Sequence, residues 1–239
     1  MDELAILTSE DVLDALHLWH GGKPARWPLA KLRLGLLLTA EEEEFSSLAE
    51  AGPAAKNRAI LNRGLQELRQ ASPESDDLLR ERYEQRRDVI AVANSLNISD
   101  SSLYYRQKQA INQLTDILIK LENRANHDWQ ERMFSRLALP TYFELIGVGE
   151  RRSKLLGAIL EETDFFILAV DGLGGLGKTA LADQVTRDLI DTKRFDEIAW
   201  VTAKQTHISS FGRLQVDSGR PALTFPMLVD RLAAQFDLP

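Results

Sequence analysis

Residues 172–179 read Gly-Leu-Gly-Gly-Leu-Gly-Lys-Thr, an unbroken G-x-x-x-x-G-K-[ST] spacing. A chain with this octet is held to one local plan: a strand, a glycine-rich turn and a helix that opens on the lysine. The flanks agree. Phe165-Phe166-Ile167-Leu168-Ala169-Val170 is short, continuous and apolar, as a strand buried on both faces of a parallel sheet is. Leu181, Val185 and Leu189 then share one helical face. Gly172, Gly174, Gly175 and Gly177 are expected at positive φ, with no side chain tolerated, so that consecutive N–H groups converge on an anion. The helix beginning near Lys178 adds its unpaired N-terminal donors and partial positive charge. In this pattern Lys178 reaches the β- and γ-phosphates and the Thr179 hydroxyl is a ligand for Mg²⁺, a hard ion that prefers oxygen. The expected nucleotide cradle is Gly172, Gly174, Gly175, Leu176, Gly177, Lys178, Thr179 and Ala180. A ligand-free loop explains the glycines but not the Lys-Thr pair.

A second segment sharpens the pattern. Val170 to Ala182, followed by Arg194-Phe195-Asp196-Glu197-Ile198-Ala199-Trp200-Val201-Thr202-Ala203-Lys204-Gln205, resembles the first two strands of NB-ARC domains, regulatory ATPases of the STAND class. Ile198, Trp200 and Val201 suit a central strand, whether of this family or of any phosphate-loop protein. Upstream, Ile146-Gly147-Val148-Gly149-Glu150-Arg151-Arg152 occupies the place of the family's Gly-Arg-Glu element beside adenine. Gly147 fits and the Gly-Arg pair is out of register, so a plain turn before a helix with Leu155, Leu156 and Ile159 reads equally well. The resemblance implies ADP or ATP with Mg²⁺, a nucleotide-dependent switch, and self-association when ATP replaces ADP.

Downstream of residue 205 no apolar strand ends in the acidic pair that positions Mg²⁺ and activates water. The family's sensor arginine, helical lid and repeat array are not found either. The chain is therefore expected to be the front part of a switch ATPase, a fragment or a truncated form, that binds nucleotide with negligible hydrolysis. A helix is expected from Thr224 to Phe236, with Pro226 in its first turn.

The chain has 239 residues, 44% of them hydrophobic, without an apolar stretch long enough to span a bilayer or a secretory signal. No membrane partner and a cytoplasmic location are expected. Cysteine is absent, which excludes disulfides and thiolate metal sites. His17 and His20, three apart near a helix end, suit capping or solvent better than metal. A net charge of −7 argues against a protein coated in nucleic acid and leaves room for a local basic face.

Residues 1–139 read as all-helical. Thr8 with Asp11, and Thr39 with Glu42, have N-cap spacing; Val12, Leu16 and Trp19 stripe a first helix that Gly21-Gly22 ends. Glu41 to Glu44 reads as a solvated first turn. Within this half, residues 78–121 suggest a helix-turn-helix: a helix through Val89 to Ser95, a turn at Leu96-Asn97-Ile98, a Ser99 N-cap and a second helix. Its small core is expected from Ile90, Ala93, Leu96, Ile98, Leu103 and Ala110. This segment resembles the fourth region of bacterial sigma factors, which implies that the second helix reads duplex DNA through Ser101, Ser102, Tyr104, Tyr105, Arg106 and Lys108. No acidic residue lies between Asp100 and Asp116, as phosphate contact favours, and Arg80, Arg82, Arg86 and Arg87 are candidates to grip the backbone. That helix has only two cations, so a module that binds protein instead is the alternative. Apolar residues at Leu114, Ile117 and Leu121 extend the helix to about Asn123, and Trp129, Phe134, Leu137 and Leu139 suggest a packed hinge.

The expected fold class is thus α + α/β: a helical helix-turn-helix module over 1–139, then over 140–239 the beginning of a phosphate-loop NTPase domain with a parallel sheet. The expected function is a nucleotide-switched regulator that contacts DNA or the transcription machinery; the alternative is a defence or signalling sensor whose helical module recruits protein. An ordinary metabolic phosphate-loop enzyme ranks third.

Overall fold

The computed structural model describes residues 7–35, 38, 52–140, 142–161, 167–203, 206–208, 214–216 and 223–236. The chain forms two compact units, residues 1–127 and 128–239.

In the first unit α1 (Ser9–His17) opens on a reciprocal cap. The Thr8 hydroxyl accepts from the Asp11 N–H at 3.1 Å, and the Asp11 carboxylate accepts from the Thr8 N–H at 2.9 Å. Both satisfy donors that a helix start leaves unpaired. Val12, Ala15 and Leu16 point into the core, and Gly21 takes the turn at φ +94°. The Thr39–Glu42 pair and the Glu41–Glu44 run lie outside the described residues. α2 (Pro53–Ala71) and α3 (Pro73–Leu79) each begin on proline, where the missing N–H costs no helical bond. One π-helical turn (Arg80–Glu84) follows. The His20 Nε2 sits 2.9 Å from the Glu84 carbonyl and 3.2 Å from that of Tyr83, so this histidine closes the turn's carbonyls.

α4 (Val89–Ser95) is capped by the Asp88 carboxylate, which accepts from the Ala91 N–H at 2.7 Å. Asn97 at φ +51° makes the turn. Ser99 then accepts from the Ser102 N–H at 3.3 Å, opening α5 (Asp100–Ser135). A helix, a turn and a second helix therefore follow one another over residues 89–135, but the core differs from expectation. Val92 and Ala93 are buried, whereas Ile90 is 63% and Leu96 43% exposed. Ile90 and Val92 stand about 200° apart around a helix, so a two-turn helix buries only one of them. α5 also runs well past Asn123, because its buried stripe continues through Leu114, Leu118, Leu121 and Ala125 to Trp129 and Met133. Ile117, expected in that stripe, is only partly buried.

Where α2 crosses α5 the contact is a glycine. A Cβ on Gly64 would lie 2.8 Å from both Leu114 Cδ1 and Leu118 Cδ2, and both leucines are fully buried. Gly64→Val is expected to destabilise the first unit by about 1–3 kcal/mol, since overpacking exceeds the roughly 1 kcal/mol at most that removing a helical glycine returns. Urea unfolding checks this; an unchanged midpoint would refute it. The Glu122 carboxylate, from α5, receives the backbone N–H groups of Arg33 at 3.0 Å and Leu34 at 2.9 Å.

The second unit holds the end of α5, α6 (Gly149–Leu160), α7 (Lys178–Thr192), an antiparallel pair β1 (Thr206–Ile208) and β2 (Leu214–Val216), and α8 (Phe225–Gln235), capped by Thr224. The β1–β2 register pairs Thr206 with Val216 and Ile208 with Leu214. Leu181, Val185 and Leu189 of α7 pack with Leu155, Leu156 and Ile159 of α6, as their spacing predicts. The residues expected to form a hinge belong instead to helix and core. Trp129 and Met133 are buried with Leu137 and Ile190, Phe134 packs against them, and Leu139 is exposed.

The expected parallel sheet is not formed among the described residues, where the only ladder is β1–β2. Ile167–Val170 carries no strand pairing and exposes its side chains; Phe165 and Phe166 lie outside the described residues. Ile198, Trp200 and Val201 are partly buried without a strand beside them. The peptide groups of this second segment go to side chains instead. The Gln235 amide accepts from the Trp200 N–H and donates to the Trp200 carbonyl, both at 2.9 Å, Arg231 donates to the Thr202 carbonyl at 2.8 Å, and Arg136 to the Ile198 carbonyl at 2.7 Å. An apolar β-prone run becomes a strand only beside a neighbour that takes its N–H and C=O groups.

Candidate functional site

The glycine octet of the second unit forms a turn that leads directly into α7. Gly172, Gly175 and Gly177 have φ of +144°, +81° and +79°, values that residues with a Cβ rarely adopt. Gly174 does not share that conformation, which corrects the expectation of four. Nor do the other described residues crowd these positions: beyond the adjoining residues, none of their heavy atoms lies within 4 Å of a Cβ built on any of the four. The requirement for glycine is thus conformational at three positions, and the space in front of the loop is open.

α7 begins on Lys178 with Gly177 as its N-cap and no side-chain cap, so the first-turn N–H groups have no partner from a capping side chain. The Lys178 ammonium folds back over the turn and donates to the carbonyls of Gly172 at 2.7 Å and Leu173 at 2.8 Å. Those neutral acceptors park the cation at the loop, where phosphate oxygens would be stronger acceptors. Asp171 accepts from the Gly172 N–H at 2.7 Å. Leu176 and Thr179 are exposed and Ala180 partly so. The predicted cradle from Gly172 to Ala180 is therefore brought together on one turn and one helix start. Among the described residues no group of three or more His, Asp or Glu is arranged to hold a metal, so a Mg²⁺ ion here would depend on Thr179, phosphate oxygens and water. Gly147 has φ +73° in the turn before α6, and Val148 packs against the Leu181, Val185 and Leu189 cluster of α7.

A polar cluster that the sequence did not disclose holds the back of α7. Tyr142 donates to Asp183 at 2.6 Å, and Arg187 donates to Asp183 at 2.8 Å and to the Ala138 carbonyl at 2.7 Å. Burial would raise the Asp183 pKa, but the Arg187 guanidinium and the Tyr142 hydroxyl outweigh it and hold it below the usual carboxylate range. Burial and the neighbouring Asp183 push the Tyr142 phenol up to about 12. With a depressed folded pKa, Asp183 contributes stability above its unfolded value and loses it as pH falls through the folded one. Arg152 and Asp188 form a two-point pair at 2.5 and 2.6 Å. The only sequence signal for this cluster is the i, i+4 spacing of Asp183 and Arg187.

In the first unit, Ser101, Ser102, Tyr104, Tyr105, Arg106 and Lys108 are all exposed on α5. The supporting arginines are mostly committed elsewhere. Arg80 pairs with Asp76 and Glu84 at 2.9 Å each, Arg87 pairs with Glu81 at 2.6 Å, and Arg82 bonds Gln107 at 3.2 Å and the Arg87 carbonyl. Of those four, only Arg86 is exposed. The expected backbone grip is thereby corrected: these cations were spent on holding the π-helical turn and its neighbours.

A glycine-rich turn opening a helix without a side-chain cap is the arrangement that the G-x-x-x-x-G-K-[ST] spacing predicts. The comparisons narrow it: residues 150–216 match the family model of the NB-ARC domain. Among the similar curated proteins are several from Arabidopsis thaliana. Probable disease resistance protein RXW24L is 36% identical over 86 residues, 35% of this chain and 10% of the relative. Probable disease resistance protein RF9 is 32% identical over 78 residues, 33% of this chain and 7% of the relative. Probable disease resistance RPP8-like protein 4 is 36% identical over 62 residues, 26% of this chain and 7% of the relative. The chain thus matches a tenth or less of the length of these relatives. No solved structure is significantly similar to it. No helix among the described residues is long and apolar enough to cross a membrane.

Proposed function

We propose that this chain is a nucleotide-binding regulator in which ADP or ATP, with Mg²⁺, acts as the switch. Residues 140–239 supply the front part of an NB-ARC phosphate-loop domain of α/β type, with Ile167–Val170 as the segment that leads into the loop. The carrying observation is the octet itself: three glycines in the left-handed region, an uncapped helix start and Lys178 already poised over the turn. Gly172, Gly174, Gly175, Leu176, Gly177, Lys178, Thr179 and Ala180 would cradle the phosphates, and Thr179 would add a hydroxyl to Mg²⁺. The bound metal supplies charge neutralisation at the phosphates. Self-association in the ATP state and a cytoplasmic setting belong to the same proposal.

For residues 1–139, the disease-resistance relatives support a defence or signalling sensor whose helical part binds protein, in preference to a DNA-contacting transcription regulator. The spent arginines around the helix-turn-helix point the same way. Calorimetry on the chain with ADP and with ATP and Mg²⁺, alongside a phosphate-release assay, tests the nucleotide reading. Saturable binding with negligible turnover is expected, because binding uses backbone geometry that the loop has, whereas hydrolysis needs a placed water and stabilised transition-state charge. Folded protein that binds neither nucleotide would overturn the proposal. Steady turnover would reveal a water-activating acid within the chain.

A further inference from the structure

Between α3, α4 and the first turns of α5 lies an open cleft of about 540 Å³ whose lining includes Leu78, Val92 and Leu96 with Glu74, Asp77 and Glu81. Glu81 is already paired with Arg87. Glu74 and Asp77 are exposed and have no ion pair among the described residues. Arg106 and Gln109 also line this cleft, and they continue into a neighbouring hollow of about 440 Å³ beside Tyr105 and Ile98. Tyr105 is 64% exposed, and Gln109 donates to its hydroxyl at 2.9 Å, fixing the ring. Tyr104 and Ile90 are exposed on the same helix-turn-helix.

Two features here ask for a cation, and they are independent. Unpaired carboxylates beside the exposed Leu96 attract Lys or Arg, and the face of a held, exposed tyrosine ring attracts the same groups. Phosphate fares worse: a DNA backbone approaching Arg106 would meet Glu74, Asp77 and Glu81 in the same cleft, and like charges brought together cost several kcal/mol in an interface. We infer that the cleft is a docking groove for a Lys- or Arg-bearing, partly apolar segment of a partner protein. The apolar side chains of the segment cover Leu96, its cations meet Glu74, Asp77 and the Tyr105 ring, and Arg106 receives an acceptor from it. The inference rests on the protein-binding reading of the helical part and is independent of nucleotide.

The test is fluorescence anisotropy with the 239-residue chain and three labelled probes: an amphipathic Lys/Leu helical peptide, its Glu/Leu counterpart and a mixed-sequence DNA duplex. The Lys/Leu peptide is expected to bind, and the other two are not. Glu74→Gln with Asp77→Asn should weaken it about tenfold or more, and Tyr105→Ala several-fold. Glu10→Gln with Asp14→Asn, which removes the same charge from α1, should leave affinity unchanged, as should Lys178→Ala. No binding of the Lys/Leu peptide, equal loss in the α1 pair, an unaffected Glu74/Asp77 pair, or duplex binding that depends on Arg106 would each overturn the groove. Failure of the unaltered chain to bind nucleotide, with peptide binding intact, would instead count against the switch alone.

Discussion

Lys178→Ala is expected to lower affinity for both ADP and ATP by about a hundredfold while leaving the folded chain intact. The magnitude follows from what the ammonium exchanges. In the free chain it donates to two neutral carbonyls, of Gly172 and Leu173; in the bound state it would donate to phosphate oxygens, and charge-assisted hydrogen bonds contribute about 1.5–3 kcal/mol each. Losing one or two of them, less the carbonyl bonds given up, leaves roughly 2–3 kcal/mol, with 1.4 kcal/mol per factor of ten. The side chain is only partly buried and belongs to neither apolar cluster of the second unit, so the thermal midpoint should hardly move. Thr179→Ala should instead remove mainly the magnesium-dependent part of the affinity. Calorimetry with and without Mg²⁺ separates the two variants. An affinity unchanged by Lys178→Ala would show that the octet is not the phosphate site.

How much of this was legible in the sequence depends on whether the cause was local. The octet, the Thr8–Asp11 cap, the prolines opening α2 and α3, and the stripe Leu181, Val185, Leu189 depend on neighbours within a few residues, and the structure has them. The turn at Asn97 and the cap at Ser99 are local too. What sequence did not disclose was set by distant partners. Ile90 and Leu96 looked like core because they are apolar, but a two-turn helix has room for Val92 and Ala93 on its one covered face. Arg80 and Arg87 are exceptions with near partners: Asp76 and Glu84 stand at the i, i+4 spacing from Arg80 and were legible in the sequence, whereas Glu81, six residues before Arg87, is at no helical spacing. The run around Trp200 has strand composition, yet its peptide groups are taken by Gln235, 35 residues away. In the Tyr142–Asp183–Arg187 cluster the i, i+4 pair is legible, and what the sequence hides is Tyr142, 41 residues from Asp183.

The last eight residues of α5, from 128 to 135, show what a distant partner contributes, and they carry the largest stability effect expected here. Trp129 is 1% exposed among Met133, Leu137 and Ile190, and its indole N–H donates to the Asp196 carbonyl at 2.6 Å. Arg132 and Arg136 both pair with Glu197. The segment that follows the phosphate-loop helix is therefore held at 196–198 by a helix more than sixty residues earlier in the chain. Trp129→Ala removes a fully packed ring together with its hydrogen bond to the Asp196 carbonyl, which should cost about 3–5 kcal/mol. The two arginine pairs are partly solvent-exposed and worth roughly 0–1 kcal/mol each, too little to compensate. Trp129→Phe keeps most of the ring and forfeits the hydrogen bond, so about 1–2 kcal/mol is expected. Hydrogen exchange locates the effect: amides of α7 and of residues 194–202 should exchange faster in Trp129→Ala, while those of α2 should not. Equal acceleration in α2 would mean that the two units unfold as one, and no acceleration anywhere would mean that the indole is not buried as described.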